Sequence, residues 1–250
     1  MYKYRSIYLL FFICTAVSTT RAETGNTPSD IPQSLQEQLD AFAAESQSRI
    51  TPESAEIMRQ AAEEISGKNI PQTCLQKGDT VPFFELPNAK GELFSIQEKL
   101  KDGPVVITFY RGGWCPYCNL SLRALQQSLP RIKELGATLV AISPEQPDDT
   151  LDTATKNTLE FEVLSDKGNT VAGSFGITFT LPEKLKNTYK DFGIDLETVN
   201  GDTLNTLPVP ATFIVDSEGT IVYTFVNTDY KYSKRAEPAE IITVLELLQE

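Results

Sequence analysis

The chain has 250 residues, which is room for one full domain plus an accessory segment, and a core of that size stands alone. Its formal charge is −12, far from the basic balance that phosphate backbones demand, so nucleic acid is not an expected partner. Histidine is absent, which excludes a Ser/His/Asp triad, a Cys/His nucleophilic pair and any imidazole metal ligand.

Residues 1–22 read as a cleavable signal peptide. Lys3 and Arg5 give a cationic start, residues 7–17 an apolar run, and Thr20-Arg21-Ala22 small residues at a cut before Glu23. A membrane anchor is the competing reading, but the run is too short to cross a bilayer comfortably. An exported protein, periplasmic or secreted, is therefore expected. Cleavage would remove Cys14 and leave Cys74, Cys115 and Cys118, too few for a disulfide scaffold; two of them lie close together, as working thiols do.

Residues 23–30 form a polar linker. Leu35, Leu39 and Phe42 recur at helical spacing within residues 31–49. A second helix follows, with Thr51 as N-cap, Pro52 at its first position, a stripe of Ile57, Ala61 and Ile65, and Gly67 as its stop. The two helices make an N-terminal arm within residues 23–73. Ordinary packing is its expected role; a homodimer contact or a lid over the thiols is the alternative.

The main domain is expected over residues 74–250. Residues 83–86 suggest a short strand, 105–110 a buried central strand, 116–135 a helix, 138–142 a strand and 146–157 a helix. Residues 161–164 suggest a further strand and 169–175 a short helix. Residues 179–206 are polar and read as a surface excursion rather than an insertion beside the site. Residues 211–215 and 220–226 flank an Asp-Ser-Glu-Gly turn as a β-hairpin, and 237–248 close the chain as an amphipathic helix. Alternating strands and helices predict an α/β sheet with parallel pairing.

Trp114-Cys115-Pro116-Tyr117-Cys118 falls after a buried strand and at a helix start. Unpaired N–H groups and the helix dipole there stabilise a thiolate, and the second cysteine, one turn on, can close a disulfide with the first. Half of a zinc site is the rival reading. A closed site needs four ligands, and Cys74 is the only other soft one after cleavage; neither metal nor cofactor is expected. Val209-Pro210-Ala211-Thr212 leads into the penultimate strand, where an X-Pro bond can be cis in a tight turn or an ordinary loop bond. Arg111 reads as a strand-end cap and Arg123 as a helix-surface ion pair, although either can serve a site between them.

The run from Phe109 to Cys118, with Pro208-Val209-Pro210-Ala211-Thr212-Phe213-Ile214-Val215-Asp216, resembles the peroxiredoxin-like branch of the alkyl hydroperoxide reductase/thiol-specific antioxidant (AhpC/TSA) family. Asp229-Tyr230 and Arg235-Ala236-Glu237-Pro238 extend the likeness, which spans about residues 75 to 250. The resemblance implies a thioredoxin-like, peroxiredoxin-type central sheet flanked by helices. It also implies a thiol peroxidase that reduces hydrogen peroxide or organic hydroperoxides with electrons from a thioredoxin-type partner. By the family's register from Tyr110, Cys118 attacks the peroxide and Cys115, standing where the family has threonine, resolves the sulfenic acid. The family's arginine falls at Pro210. Thioredoxin-like oxidoreductases attack instead with the first cysteine, here Cys115, and carry a cis proline where Pro210 stands. Two other functions therefore remain open: an exported thiol–disulfide oxidoreductase acting on proteins, and a non-catalytic binding protein with a structural bridge. Cys74 is expected to be a structural or incidental thiol.

Overall fold

The computed structural model describes residues 34–228 and 234–250; the expected signal peptide, the linker 23–30, the start of the first helix and Asp229-Tyr230 lie outside them. In chain order the elements begin with the arm. Helix α1 (Leu35–Gln47) opens on a capping box, in which Ser34 accepts from the Glu37 N–H and the Glu37 carboxylate accepts from the Ser34 N–H. Helix α2 (Pro52–Ser66) has Thr51 as its cap, with Pro52 in the first turn. The short α3 (Ile70–Thr73), β1 (Glu85–Pro87), β2 (Leu93–Ser95) and α4 (Ile96–Leu100) follow.

The central run is β3 (Val105–Phe109), α5 (Pro116–Glu134), β4 (Thr138–Ser143), α6 (Pro147–Lys156), β5 (Glu162–Ser165) and α7 (Thr170–Ser174). Next come β6 (Thr178–Thr180), α8 (Glu183–Asp191), α9 (Leu196–Asn200) and β7 (Thr206–Pro208). The chain ends with β8 (Ala211–Val215), β9 (Ile221–Val226) and α10 (Pro238–Leu247).

Five strands form one mixed sheet in the order β5-β4-β3-β8-β9. The β3–β4 and β4–β5 pairs are parallel and joined through helices, while β8 and β9 add antiparallel as the predicted hairpin. Every residue of β3 and β8 is buried, as the apolar run 105–110 requires of a strand covered on both faces. The two-residue period of β3 divides the core. Val105, Ile107 and Phe109 face a cluster with Phe175, Phe213 and Leu185, while Val106 and Tyr110 face α5, Leu39 of α1 and Ile241 of α10.

The segment 179–206 departs from expectation. It is not a surface excursion: Leu185 and Tyr189, four residues apart on α8, are buried with Leu181 and Leu196, and β6 pairs with β7 across it. Its polar residues occupy the other side of a short amphipathic helix, which hid the stripe. No peptide bond is cis among the described residues, so the Val209–Pro210 bond is trans. The Val209 N–H bonds to the Ile177 carbonyl, and β7 passes almost directly into β8, so the chain is extended there rather than tightly turned.

Candidate active site

Between β3 and α5 the chain turns through Arg111-Gly112-Gly113-Trp114. Both glycines are sterically required. Gly112 has φ of +151°, and a Cβ there would meet the Trp114 indole nitrogen at 2.3 Å; one on Gly113 would meet Thr153 Oγ1 at 2.0 Å. The loop is tied from below. Gly113 donates its N–H to Glu145 Oε1 at 2.8 Å, and Asn119 Nδ2 donates to the Gly113 carbonyl at 2.8 Å. Glu145, just past β4, also accepts from the Tyr110, Ser143 and Thr153 hydroxyls.

This geometry makes Cys115 the N-cap residue of α5. Three donors meet its Sγ: the Cys118 thiol at 2.7 Å, an Arg111 guanidinium nitrogen at 3.0 Å and the Cys118 N–H at 3.3 Å. Both sulfurs are reduced and fully buried. Burial pushes the Cys115 thiol up, but the Cys118 thiol, then the charges of Arg111 and Arg235, then the Cys118 N–H outweigh it and bring it down to about 5. Cys118 moves the other way, raised by burial and then by its bond to Cys115 and that sulfur's charge. One proton is thus shared between two sulfurs, with the negative charge on Cys115.

Arg111 is not a surface cap. It is buried, donates to the Tyr189 hydroxyl at 3.0 Å from its other terminal nitrogen, and lies 5.3 Å from the Trp114 ring centroid. Tyr189 comes from α8 and packs its ring 5.3 Å from that of Trp114. Arg123, by contrast, is exposed and donates to Asn157 Oδ1 at 2.8 Å, one helical turn and more beyond the thiols. Pro116 starts α5, and the Tyr117 hydroxyl lies 3.3 Å from Ser46 Oγ, with its ring edge-on to Phe42 at 5.0 Å. The arm therefore packs on the motif itself.

On the other side of the pair, a cavity of about 20 Å³, the size of a single water, is lined by Cys118, Tyr110, Pro210, Thr212 and Arg235 among others. The Thr212 hydroxyl is 3.3 Å from that of Thr108 and makes no bond to a sulfur there. Cys74 belongs to the opposite core, where Gln76 donates to its sulfur at 3.2 Å and burial raises its thiol. Sequence reasoning missed three site residues: Tyr189, Glu145 and Arg235. Glu145 had a signal, an acid directly after the apolar β4. Arg235 stood in the stretch that extends the family likeness, without a role assigned to it, and Tyr189 had no signal, because only the fold brings α8 to the motif.

The sequence profile of the AhpC/TSA family matches residues 77–224. A chloroplastic peroxiredoxin Q of Populus jackii is 28% identical over 172 residues, covering 69% of this chain and 70% of its own length. Peroxiredoxin Bcp of Escherichia coli (strain K12) is 29% identical over 103 residues, covering 41% of this chain and 65% of its own length. Among solved structures, the peroxidoxin BcpB of Mycobacterium tuberculosis superposes with a TM-score of 0.54 at 23% identity, over 70% of this chain and 97% of its own. A Xanthomonas campestris peroxiredoxin Q gives 0.53 at 16%, over 71% and 99%. These structural likenesses establish the fold.

Proposed function

The chain belongs to the AhpC/TSA family, and from that membership and the geometry of its dithiol we propose that it is a thiol peroxidase, reduced by a thioredoxin-type partner, in which Cys115 attacks. The observation that carries the assignment is the convergence of three donors, one of them a buried guanidinium, on the Cys115 sulfur. At pH 7 that sulfur is a thiolate, the nucleophilic form. It takes the terminal oxygen of the hydroperoxide, the O–O bond breaks, and the alkoxide leaves with the proton of the Cys118 thiol. The Cys118 thiolate then displaces hydroxide from the Cys115 sulfenic acid and closes the disulfide, which the partner reduces. Arg111 stabilises the charge that moves onto the departing oxygen.

A second reading has its own observation. The cavity beside Arg235 opens on Cys118, the cysteine that the register from Tyr110 selects. Single-turnover labelling with a sulfenic-acid probe separates the two. Cys118→Ser should accumulate sulfenic acid on Cys115, and Cys115→Ser should consume no peroxide; label on Cys118 at the wild-type rate would reverse the roles. The disulfide-oxidoreductase reading is supported by the thiolate on the first cysteine of the motif, and a protein-disulfide reduction rate above the peroxide rate would put it first. Export is proposed from the leader-like residues 1–22.

A further inference from the structure

Closing the disulfide asks more of the protein than attacking the peroxide does. In the reduced site one negative charge rests on Cys115, where an Arg111 nitrogen donates to the sulfur. Once Cys115 has taken up oxygen it is neutral, and the charge must stand on Cys118, a sulfur that is fully buried. A buried thiolate needs a cation beside it; without one the thiol keeps its proton and does not attack. Burial and then the bond to Cys115 raise the Cys118 thiol, while the charges of Arg111 and then Arg235 pull it back. Oxidation of Cys115 removes that bond and that sulfur's charge, and leaves burial set against two guanidinium groups.

The two arginines are placed differently. Arg111 is committed to the Cys115 sulfur and to the Tyr189 hydroxyl. Arg235 is also buried, but it lines the water-sized cavity that opens on Cys118, and it is the one charged side chain among the described residues there. Its backbone is pinned close by. Ala236 is buried beside it, and the Glu237 carboxylate accepts from the Gln36 and Leu35 N–H groups at the start of α1. We propose that Arg235 carries Cys118 through disulfide closure: across the cavity they share, its guanidinium stabilises the Cys118 thiolate while Cys115 is a sulfenic acid.

The inference rests on the order proposed above, with Cys115 attacking first, and it gives each sulfur its own guanidinium. The step balances within the site. The Cys118 thiolate forms the S–S bond, the S–O bond on Cys115 breaks, and hydroxide leaves to take a proton from solvent. The Cys118 sulfur is oxidised as the Cys115 sulfur is reduced, so no outside electron donor is needed. Around Cys118 the charged and titratable groups among the described residues are Cys115, Arg111, Arg235 and Tyr110, and burial holds the Tyr110 proton well above its ordinary range. The pH profile of closure therefore reads Cys118.

A small pyridyl disulfide isolates that step without peroxide. It releases one thiopyridone on forming a mixed disulfide with Cys115 and a second when Cys118 displaces the pyridyl group, so two phases time attack and closure separately. In the wild type the second phase should be level from about pH 6 to about pH 8, because Cys118 is then already ionised. Arg235→Met should slow the second phase about tenfold at pH 7 and make it climb with pH. Its first phase should stay within about threefold of the wild type, because Cys115, at about 5, remains a thiolate there. Arg235→Lys keeps the charge without the planar fork and should restore most of the closure rate. With hydrogen peroxide, Arg235→Met should accumulate sulfenic acid on Cys115 that a sulfenic-acid probe labels. A wild-type second phase that rises about tenfold per pH unit overturns the proposal whether or not any variant folds. So does an Arg235→Met protein whose second phase is unchanged, or whose first phase is slowed more than its second, since the guanidinium then serves attack. Equal losses in Arg235→Met and Arg235→Lys, each with a level pH profile, assign Arg235 to packing and overturn it as well. A wild type that closes on the pyridyl disulfide as expected but consumes no peroxide refutes the peroxidase reading and leaves the role of Arg235 standing.

Discussion

The charge at Cys115 depends on where a guanidinium is held, and Tyr189 holds it. With Arg111 bound between the Tyr189 hydroxyl and the sulfur, the thiolate is favoured despite complete burial. Ionisation of a thiol lowered to about 5 sets the sign of the pH dependence: alkylation of Cys115 by iodoacetamide should rise with pH through about 5 and be level by pH 7. Arg111→Met should move that midpoint upward by about two units or more, since both a hydrogen bond and a charge are lost. Tyr189→Phe keeps the ring against Trp114 and removes only the acceptor, so a smaller rise, about one unit, is expected with the fold intact. Thiolate absorbance near 240 nm against pH reads both. A Tyr189→Phe midpoint that stays at the wild-type value would show that packing alone fixes Arg111.

At the scale of elements, the arm is fastened at its start. Beyond its own capping box, α1 receives Glu237 from the start of α10: the carboxylate accepts from the Gln36 N–H at 2.7 Å and the Leu35 N–H at 3.2 Å. Those are otherwise unpaired donors at the positive end of a helix dipole, where a carboxylate is favoured. Glu237→Ala should therefore cost about 1–2 kcal/mol, read as a lowered urea midpoint, and should speed proteolysis within α1. An unchanged midpoint would mean that Leu35 and Leu39 alone hold the helix. The active-site loop is less forgiving. Gly113→Ala has to displace Thr153 or the loop, and should cut peroxide turnover at least tenfold while helix content is kept, as kinetics and circular dichroism together would show. These elements differ in how legible they were. Ser34, Thr51, Pro52 and Gly67 punctuate the arm, so its helices were readable from caps and stripes, whereas α8 carries a short buried stripe on an otherwise polar helix and was read as a loop.

For the molecule as a whole, the frame was legible because β3, α5, β4 and the β8–β9 hairpin each carry an apolar pattern of their own, and the dithiol because both sulfurs lie on one helical turn. What was hidden is whatever needs two distant segments to meet: Tyr189 against Arg111, Arg235 beside Cys118, Glu145 beneath Gly113. Glu145 also bears on global stability. Burial raises it to about 7 from an ordinary 4.5, although the Gly113 N–H and then the Tyr110 and Ser143 hydroxyls pull it down; the charge of Asp149 on α6 adds to the rise. Asp166, raised by burial to about 6 against the Ala172, Val171 and Thr170 N–H groups, acts in the same sense. Because these carboxyls hold protons more tightly folded than unfolded, the folded state binds more protons between about pH 4 and 7. Their stabilising contribution is full below the unfolded values and is lost as pH rises through 6 to 7, on the order of 3 kcal/mol for Glu145. The oxidised protein, in which the dithiol no longer titrates, should accordingly show a urea midpoint that falls from pH 5 to pH 8. Glu145→Gln keeps an oxygen for the Gly113 N–H and an amide that the surrounding hydroxyls can accept from, so its midpoint should fall less and should exceed the wild-type value at pH 8. The self-repulsion of an acidic chain grows with pH in both proteins and cancels in the comparison. Parallel midpoint curves for the two proteins would place the titration elsewhere and leave Glu145 ionised throughout the range.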